Sequence, residues 1–135
     1  MDYERAANAY TTALRHDLAD ATCRAIAEVG LAKVLERQAE EARPADRSTL
    51  LNEALRHYVY VVEGKNLGEG EQADPFWVKE AAVAAARLAE ELQQWEVAAR
   101  WYERLITLLP PLRKKWELQL EKLGPLRAQI ESVNN

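Results

Sequence analysis

An all-α fold is predicted for this chain, on three observations. Apolar residues recur with helical spacing along almost the whole sequence, and no stretch of useful length alternates polar and apolar residues as a strand would. Only 5 glycines and 5 prolines occur in 135 residues, and 30% of the residues are charged, a composition that suits amphipathic helices. Short breaker clusters separate six helical segments. We therefore expect an α-solenoid of about six antiparallel helices, arranged as two to three helix pairs.

Capping residues and breakers predict where the first three helices begin and end. The first helix is expected from Tyr3 to Arg15, with Asp2 as its N-cap. The second is long, starting near residue 21 and ending in the break around Pro44. Asp46 or Ser48 is expected to cap the third helix.

The second half of the chain contains one clear loop, over residues 65–73. The third helix is expected to stop before it, at Gly64, and Asp74 with Pro75 to start the fourth helix, which is rich in alanine and runs to about residue 93. A fifth helix should extend from Trp95 to the prolines at 110 and 111, and a sixth should follow them. Proline at 125, after a glycine, is expected to end or kink that sixth helix.

One stripe of four residues occurs three times, with intervals of three, four and three residues. Such intervals place a bulky residue, an alanine, an aromatic residue and a smaller apolar residue on one helix face. The alanine allows a neighbouring helix to approach closely. The three occurrences are Tyr3, Ala6, Tyr10 and Ala13; Leu51, Ala54, Tyr58 and Val61; and Trp95, Ala98, Tyr102 and Leu105.

This stripe resembles the second helix of the tetratricopeptide repeat, which carries an aromatic, an alanine, a second aromatic and a small residue at these intervals, followed by proline. Trp95, Ala98, Tyr102 and Pro110 match those places in order, and Trp116 stands where the next repeat would have its first-helix tryptophan. The resemblance implies a single helical-repeat domain over residues 1–135.

The repeats are longer than in that family. Ala6, Ala54 and Ala98 lie 48 and 44 residues apart, against about 34 in the standard motif. HEAT-like or other long helix-pair repeats therefore stay open. Because the first helix is of the second-helix type and lacks its partner, we expect a segment of a longer protein, or a chain whose N-terminal surface another molecule completes.

Binding of a protein or peptide partner is the function that the resemblance implies. Tetratricopeptide modules bind peptides and helices in a groove lined by their first helices, and here the groove would be apolar at one end and charged at the other. The alternative is a structural element for self-association or for envelope or complex assembly, in which the uncovered terminal helices would form a homo-oligomer. The candidate partner-binding residues are Arg24, Ala27, Leu31, Val34 and Leu35 in the second helix, and Glu80, Val83, Arg87, Glu90 and Glu91 in the fourth.

Charge and hydropathy argue against two other partner classes. With a net charge of −4 and a pI of about 5.3, the chain lacks the positive field that attracts nucleic acid. No apolar run approaches the roughly 20 residues of a membrane span, so no integral membrane segment is expected. A soluble protein is predicted, and both the cytoplasm and the periplasm stay open.

Clustered ligands or nucleophiles are missing from the sequence, so no metal site, cofactor or enzymatic activity is predicted. His16, His57 and Cys23 are widely spaced. We expect His16 to interact with the last carbonyls of the first helix, and His57 to lie on a solvated or partly packed face. Cys23, the single cysteine, should pack as a small apolar residue.

Overall fold

The computed structural model describes residues 2–16 and 18–134, with the backbone alone for residues 130–134. Its described residues form helices and loops and no strand, which confirms the all-α prediction. None of the helices in these ranges is long and apolar enough to cross a membrane. The helices are α1 (Tyr3–Arg15), α2 (Ala21–Glu41), α3 (Pro44–Val62), α4 (Pro75–Glu91), α5 (Trp95–Leu108) and α6 (Arg113–Asn134), with a short 3-10 helix at Pro110–Leu112.

The chain divides into two compact units, residues 1–81 (unit 1) and residues 82–135 (unit 2). In unit 1, α2 packs against both α1 and α3, and in unit 2, α5 packs against α6. Packing between neighbours in sequence is common to all helical repeats, because each repeat contacts only the next. The solenoid arrangement and the single domain over residues 1–135 stay predictions.

Aspartates cap three of the helices. Asp2 caps α1, and Asp74 precedes Pro75 at the start of α4, both as predicted. Asp20 caps α2 by accepting a hydrogen bond of 2.8 Å from the backbone N–H of Cys23. That hydrogen bond holds the pKa of the Asp20 carboxyl below its usual value.

The start of α3 differs from the prediction. The helix begins at Pro44, and Arg43 occupies the N-cap position without a side-chain hydrogen bond. Pro44 is tolerated there because the first turn has no intrahelical acceptor for the N–H that proline lacks. Asp46 lies inside the first turn, where a negative charge interacts favourably with the helix dipole. The prediction of an N-cap at Asp46 or Ser48 is therefore wrong.

Helix α6 continues through Pro125, so Gly124 and Pro125 do not end it, and the alternative of a kink stays a prediction. Proline removes one backbone donor from the helix and leaves the carbonyl of Glu121 without its intrahelical partner. Gly124, Pro125 and Glu121 are all exposed, so water can bind that carbonyl.

Two residues near the turn between α1 and α2 also differ from expectation. Cys23 is exposed rather than packed, because the buried face of α2 is occupied by Ala21 and Ala25, which lie two residues to either side of it. The imidazole Nδ1 of His16 accepts a 3.1 Å hydrogen bond from the N–H of Leu18 instead of interacting with the last carbonyls of α1. Extended backbone at His16 directs this residue out of the helix.

The end of α3 follows the Schellman pattern, at the predicted glycine. Gly64 has a φ of +73°, a conformation that glycine adopts without a steric penalty. Its N–H donates to the backbone carbonyl of Val61 at 3.1 Å, and the N–H of Lys65 donates to the backbone carbonyl of Tyr60 at 3.0 Å.

The residue just after α4 has a similar backbone conformation. Gln93 has a φ of 58°, where glycine would fit better.

The repeated stripe faces the core in α3 and α5. All four stripe residues of α3 and the last three of α5 are buried, and Ala54 and Ala98 have no exposed surface. In α5, Tyr102 stacks on the buried Trp116 of α6, with ring centroids 5.9 Å apart. The stripe of α1 is less covered, since no residue of α1 is fully buried.

A glycine sets the distance between α1 and α2. A Cβ atom added to Gly30 would lie 2.4 Å from the aromatic ring of Tyr10, closer than real Cβ contacts. The ring of Tyr10 therefore lies directly against the backbone of α2. This contact joins one member of the α1 stripe to the middle of the longest helix in unit 1.

We expect Gly30→Ala to lower the free energy of unfolding by about 1–3 kcal/mol, since the added methyl group must displace the Tyr10 ring. In an open helix position the same change would stabilise by roughly 1 kcal/mol. Urea unfolding followed by circular dichroism measures the difference. In a Tyr10→Ala background, Gly30→Ala should become stabilising; a loss of the same size in both backgrounds would contradict the contact.

Ala98→Trp tests the stripe of α5. Because Ala98 is fully buried, the larger side chain should lower stability by at least about 1–3 kcal/mol through overpacking. Arg100→Trp is the matched control, because Arg100 is exposed two residues away on the same helix. Equal melting temperatures for the two variants would be incompatible with a helix crossing at Ala98.

Candidate functional site

A concave groove with a volume of about 460 Å³ opens on unit 1. Ligand pockets in proteins commonly measure roughly 300–1,000 Å³. We call it the unit 1 groove, and three helices contribute to it. Its lining consists of Ala7 from α1; Glu28, Leu31, Val34, Leu35 and Gln38 from α2; and Glu53, Arg56, His57 and Tyr60 from α3.

The α2 side of the groove is apolar in its centre. Leu31, Val34 and Leu35 are spaced by three and four residues, which places them on one helix face. Val34 is buried at 5% exposure, whereas Leu31 and Leu35 are partly exposed. An apolar side chain placed against them would gain burial from both leucines.

The α3 side carries hydrogen-bonding groups. Glu53, Arg56, His57 and Tyr60 follow one another at intervals of three, one and three residues and so share a face of α3. Arg56 is 78% exposed at its side chain and lies 3.7 Å from the Glu53 carboxylate. Tyr60 is 40% exposed. The groove therefore combines an apolar centre with a polar, partly aromatic wall.

A buried carboxylate joins the two sides. Glu28 is 7% exposed, and the Nδ1–H of His57 donates to its Oε2 at 2.6 Å. A carboxylate removed from water requires such a partner, and the charge-assisted hydrogen bond fixes the imidazole against α2. Only Nε2 of His57 is then left for a ligand.

The lining supplies recognition groups and few reactive ones. Among its described residues there is no serine, threonine, cysteine or lysine, so none of these supplies an aliphatic hydroxyl, thiol or amine beside the Glu28–His57 pair. Among the described residues, no group of three or more His, Cys, Asp and Glu could hold a metal ion. Apolar surface with a few convergent polar groups is typical of a binding site.

Three of the five residues predicted on α2 line the unit 1 groove, namely Leu31, Val34 and Leu35. Ala27 is 1% exposed and lies in the core. Arg24 lies outside the groove as well. The side chains of the α3 wall were missed by the sequence prediction, because their spacing is also that of an ordinary solvated helix face.

Arg24 connects α2 to the loop over residues 65–73. Its guanidinium donates to the carbonyl of Asn66 at 2.9 Å, to the carbonyl of Ala19, and to the carboxylate of Glu71. Glu71 in turn accepts from the N–H of Gly68 at 2.6 Å. One side chain thus holds two points of the loop against the start of α2, which is a structural role for a residue predicted to bind a partner.

Unit 2 has a concavity of its own, with a volume of about 490 Å³. Of the five residues predicted on α4, Arg87, Glu90 and Glu91 line it, whereas Glu80 and Val83 do not. Glu80 is exposed and forms an ion pair with Lys79 at 3.3 Å. The described residues that line the concavity are Arg87, Glu90 and Glu91 from α4; Trp95 from α5; and Gln119, Lys122, Leu123 and Leu126 from α6.

A tyrosine of the repeated stripe contacts this second concavity from the core. Burial raises the pKa of the Tyr102 hydroxyl far above its usual value, and the charge and hydrogen bond of Glu90 raise it further. The hydroxyl of Tyr102 is the donor in its hydrogen bond to Glu90. On the exposed side of α5, Arg127 donates to Glu96 at 2.6 and 3.0 Å, and this contact lowers the Glu96 pKa.

Arg24→Ala should loosen the loop. We expect cleavage by a glutamate-specific protease at Glu69 and Glu71 to accelerate, and the free energy of unfolding to fall by about 1–2 kcal/mol, since hydrogen bonds from a charged donor are lost. Arg37→Ala is the control, because Arg37 forms only an exposed ion pair with Glu40. If both variants were cleaved at the wild-type rate, Arg24 would not hold the loop.

The geometry of the groove, and not a likeness to a known protein, is the basis for inferring a function. The chain matches no protein-family model, and no curated protein and no solved structure matches it significantly. The resemblance to the tetratricopeptide repeat, drawn from the stripe and from Pro110, accordingly stays a prediction.

Proposed function

We propose that this chain is a helical-repeat module, similar to the tetratricopeptide family, that binds a peptide or a helix of a partner protein in the unit 1 groove. The observation that carries the proposal is the groove itself, in which Leu31, Val34 and Leu35 lie beside the hydrogen-bonding wall of α3. The proposal assigns no catalytic role to the chain.

Rigidity of the groove supports this function. The α2 helix that forms its apolar side is held by α1 through the Tyr10 contact on Gly30, and on its opposite flank by α3. The Glu28–His57 hydrogen bond adds a polar link between α2 and α3. A binding surface that is ordered before the partner arrives loses less conformational entropy on association.

The exposed aromatic ring on the wall supports it too. Tyr60 is one of the few large apolar side chains with substantial exposure in unit 1, at 40%. Tyrosine is enriched among the residues that contribute most to protein interfaces, because it adds area with few rotatable bonds. Together with Leu31 and Leu35 it would contact the same bound segment.

Exposed leucines favour a second candidate function, assembly with other copies or within a larger complex. Leu108, Leu112 and Leu118 of unit 2 are 40%, 44% and 51% exposed. Exposed leucines of this kind contribute to protein interfaces when they form a contiguous patch. This alternative requires no occupant in the unit 1 groove.

Leu31→Glu should abolish partner capture. Wild-type chain immobilised on beads is expected to retain specific proteins from a lysate of its source cells, and a charge in the apolar centre of the groove should release them. Ile26→Glu is the matched control, since Ile26 lies on the same helix, is 41% exposed, and does not line the groove. Mass spectrometry compares the retained proteins.

Tyr60→Ala provides a second variant with little effect on folding, because its side chain is already exposed. We expect a reduction of about tenfold or more in the retained partner, a loss typical of an interface tyrosine. Circular dichroism must show that each variant is folded. Identical retention by wild type, Leu31→Glu and Tyr60→Ala would overturn the proposed function.

A further inference from the structure

We propose that the partner segment in the unit 1 groove is a basic amphipathic helix. It would carry aliphatic side chains on one face and Lys or Arg beside them. This inference rests on the proposed function and specifies the chemistry of the partner.

The length and the lining of the groove favour a helix over an extended peptide. Its α2 side runs from Glu28 to Gln38, which spans about 15 Å, or three helical turns. The groove lies between helices, whose backbone groups already bond within each helix, so no strand edge is available to an extended chain. A helix satisfies its own backbone and can place a ridge of side chains between α2 and α3.

Charge favours a basic partner, because the acidity of the chain is concentrated in unit 1. Residues 1–81 contain ten Lys and Arg against fifteen Asp and Glu, a formal charge of −5, while residues 82–135 contain eight against seven, a formal charge of +1. The groove lies entirely in the acidic unit. A negative field of this kind raises the association rate of cationic partners.

The groove lining contributes an accessible carboxylate of its own. Glu28 of α2 and Glu53 of α3 face the single guanidinium of Arg56, and Glu28 is already paired with His57. Arg56 is 78% exposed at its side chain and 3.7 Å from Glu53, a loose surface pair that a partner's cation can replace at little cost. Glu53 is 45% exposed and is therefore the carboxylate most accessible to a Lys or Arg.

Hydrogen bonding points the same way. The carboxylate of Glu53 is an acceptor, and Gln38 and Tyr60 can accept through their oxygens. Arg56 donates only, and it already lies beside Glu53. A partner's Lys and Arg are donors without an acceptor, which suits the Glu53 carboxylate and these oxygens.

The chain's own basic segment fits this description poorly. Leu112 and Leu118 are exposed around the cationic residues 113–115, but six residues separate them, which places them about 120° apart around a helix. Arg113 is already paired with Glu117 at 2.6 Å, and Lys115 lies over the ring of Trp116. This segment of a second copy therefore lacks the continuous apolar ridge that the groove requires.

Three synthetic helical peptides of about 18 residues, long enough to hold helical structure, test the inference. Each carries leucines at i, i+3 and i+7, and the flanking positions are Lys in one, Gln in the second and Glu in the third. Fluorescence anisotropy with the full chain measures their affinities. We expect the Lys peptide to bind about tenfold more tightly than the Gln peptide, the Glu peptide to bind weakest, and added salt to reduce the difference.

Two charge-reversal variants locate the effect. Glu53→Lys should remove the preference for the Lys peptide, while Glu40→Lys, which changes the net charge equally on an exposed α2 residue outside the groove, should retain most of it. If both variants weakened binding of the Lys peptide equally, the preference would come from the overall charge of the chain. That result would overturn a cation-binding site at the groove wall.

The remaining outcomes separate this inference from the proposed function. Equal binding of the Lys and Gln peptides, abolished by Leu31→Glu, would overturn the basic partner and leave the groove as a binding site. Failure of all three peptides to bind would overturn the inference. Partner capture by Leu31→Glu and by its control Ile26→Glu would then test the proposed function by itself. A wild-type oligomer in light scattering that Leu31→Glu dissociates would identify a second copy as the occupant and overturn a foreign basic helix.

Discussion

Close approach of α2 to its two neighbours is the constraint on which unit 1 depends. The buried positions of α2 are mostly alanines, with Gly30 where the Tyr10 ring touches the backbone. Small residues at helix crossings shorten the distance between axes and leave little tolerance for added volume. The groove depends on the same packing, since the partly exposed Leu31 and Leu35 line it from the same helix. Any change that shifts α2 away from α1 or α3 also changes the width of the groove.

Periodicity and capping chemistry predicted the all-α class and many of the helix ends. The stripe identified the core face of α3 and α5, and Asp2, Gly64 and the Asp74–Pro75 pair located helix ends because each has one strong local preference. Prolines were harder to interpret, because the same residue can start a helix or interrupt one. Pro44 starts α3, and Pro125 lies inside α6, where exposed backbone tolerates the lost hydrogen bond.

The groove was predictable on one side only. The α2 residues were predicted from the resemblance to tetratricopeptide repeats, in which the first helices line the groove. The α3 wall has no such signal, since Glu53, Arg56 and Tyr60 have the composition of a solvated surface. The contact between His57 and Glu28 joins residues 29 positions apart, and no local pattern specifies a pair so distant in sequence. Arg24 illustrates the same limit, because its partners Asn66 and Glu71 lie in a loop more than 40 residues away.

The buried Glu28 has an evolutionary consequence. Replacing His57 alone would leave the largely buried Glu28 carboxylate without its donor, and an unsatisfied buried acceptor costs about 1–3 kcal/mol. Replacing both by apolar residues of similar volume costs far less. Selection should therefore rarely fix a change at one position first, and sequences descended from a common ancestor are expected to carry paired substitutions at 28 and 57. Such covariation would follow from folding stability alone.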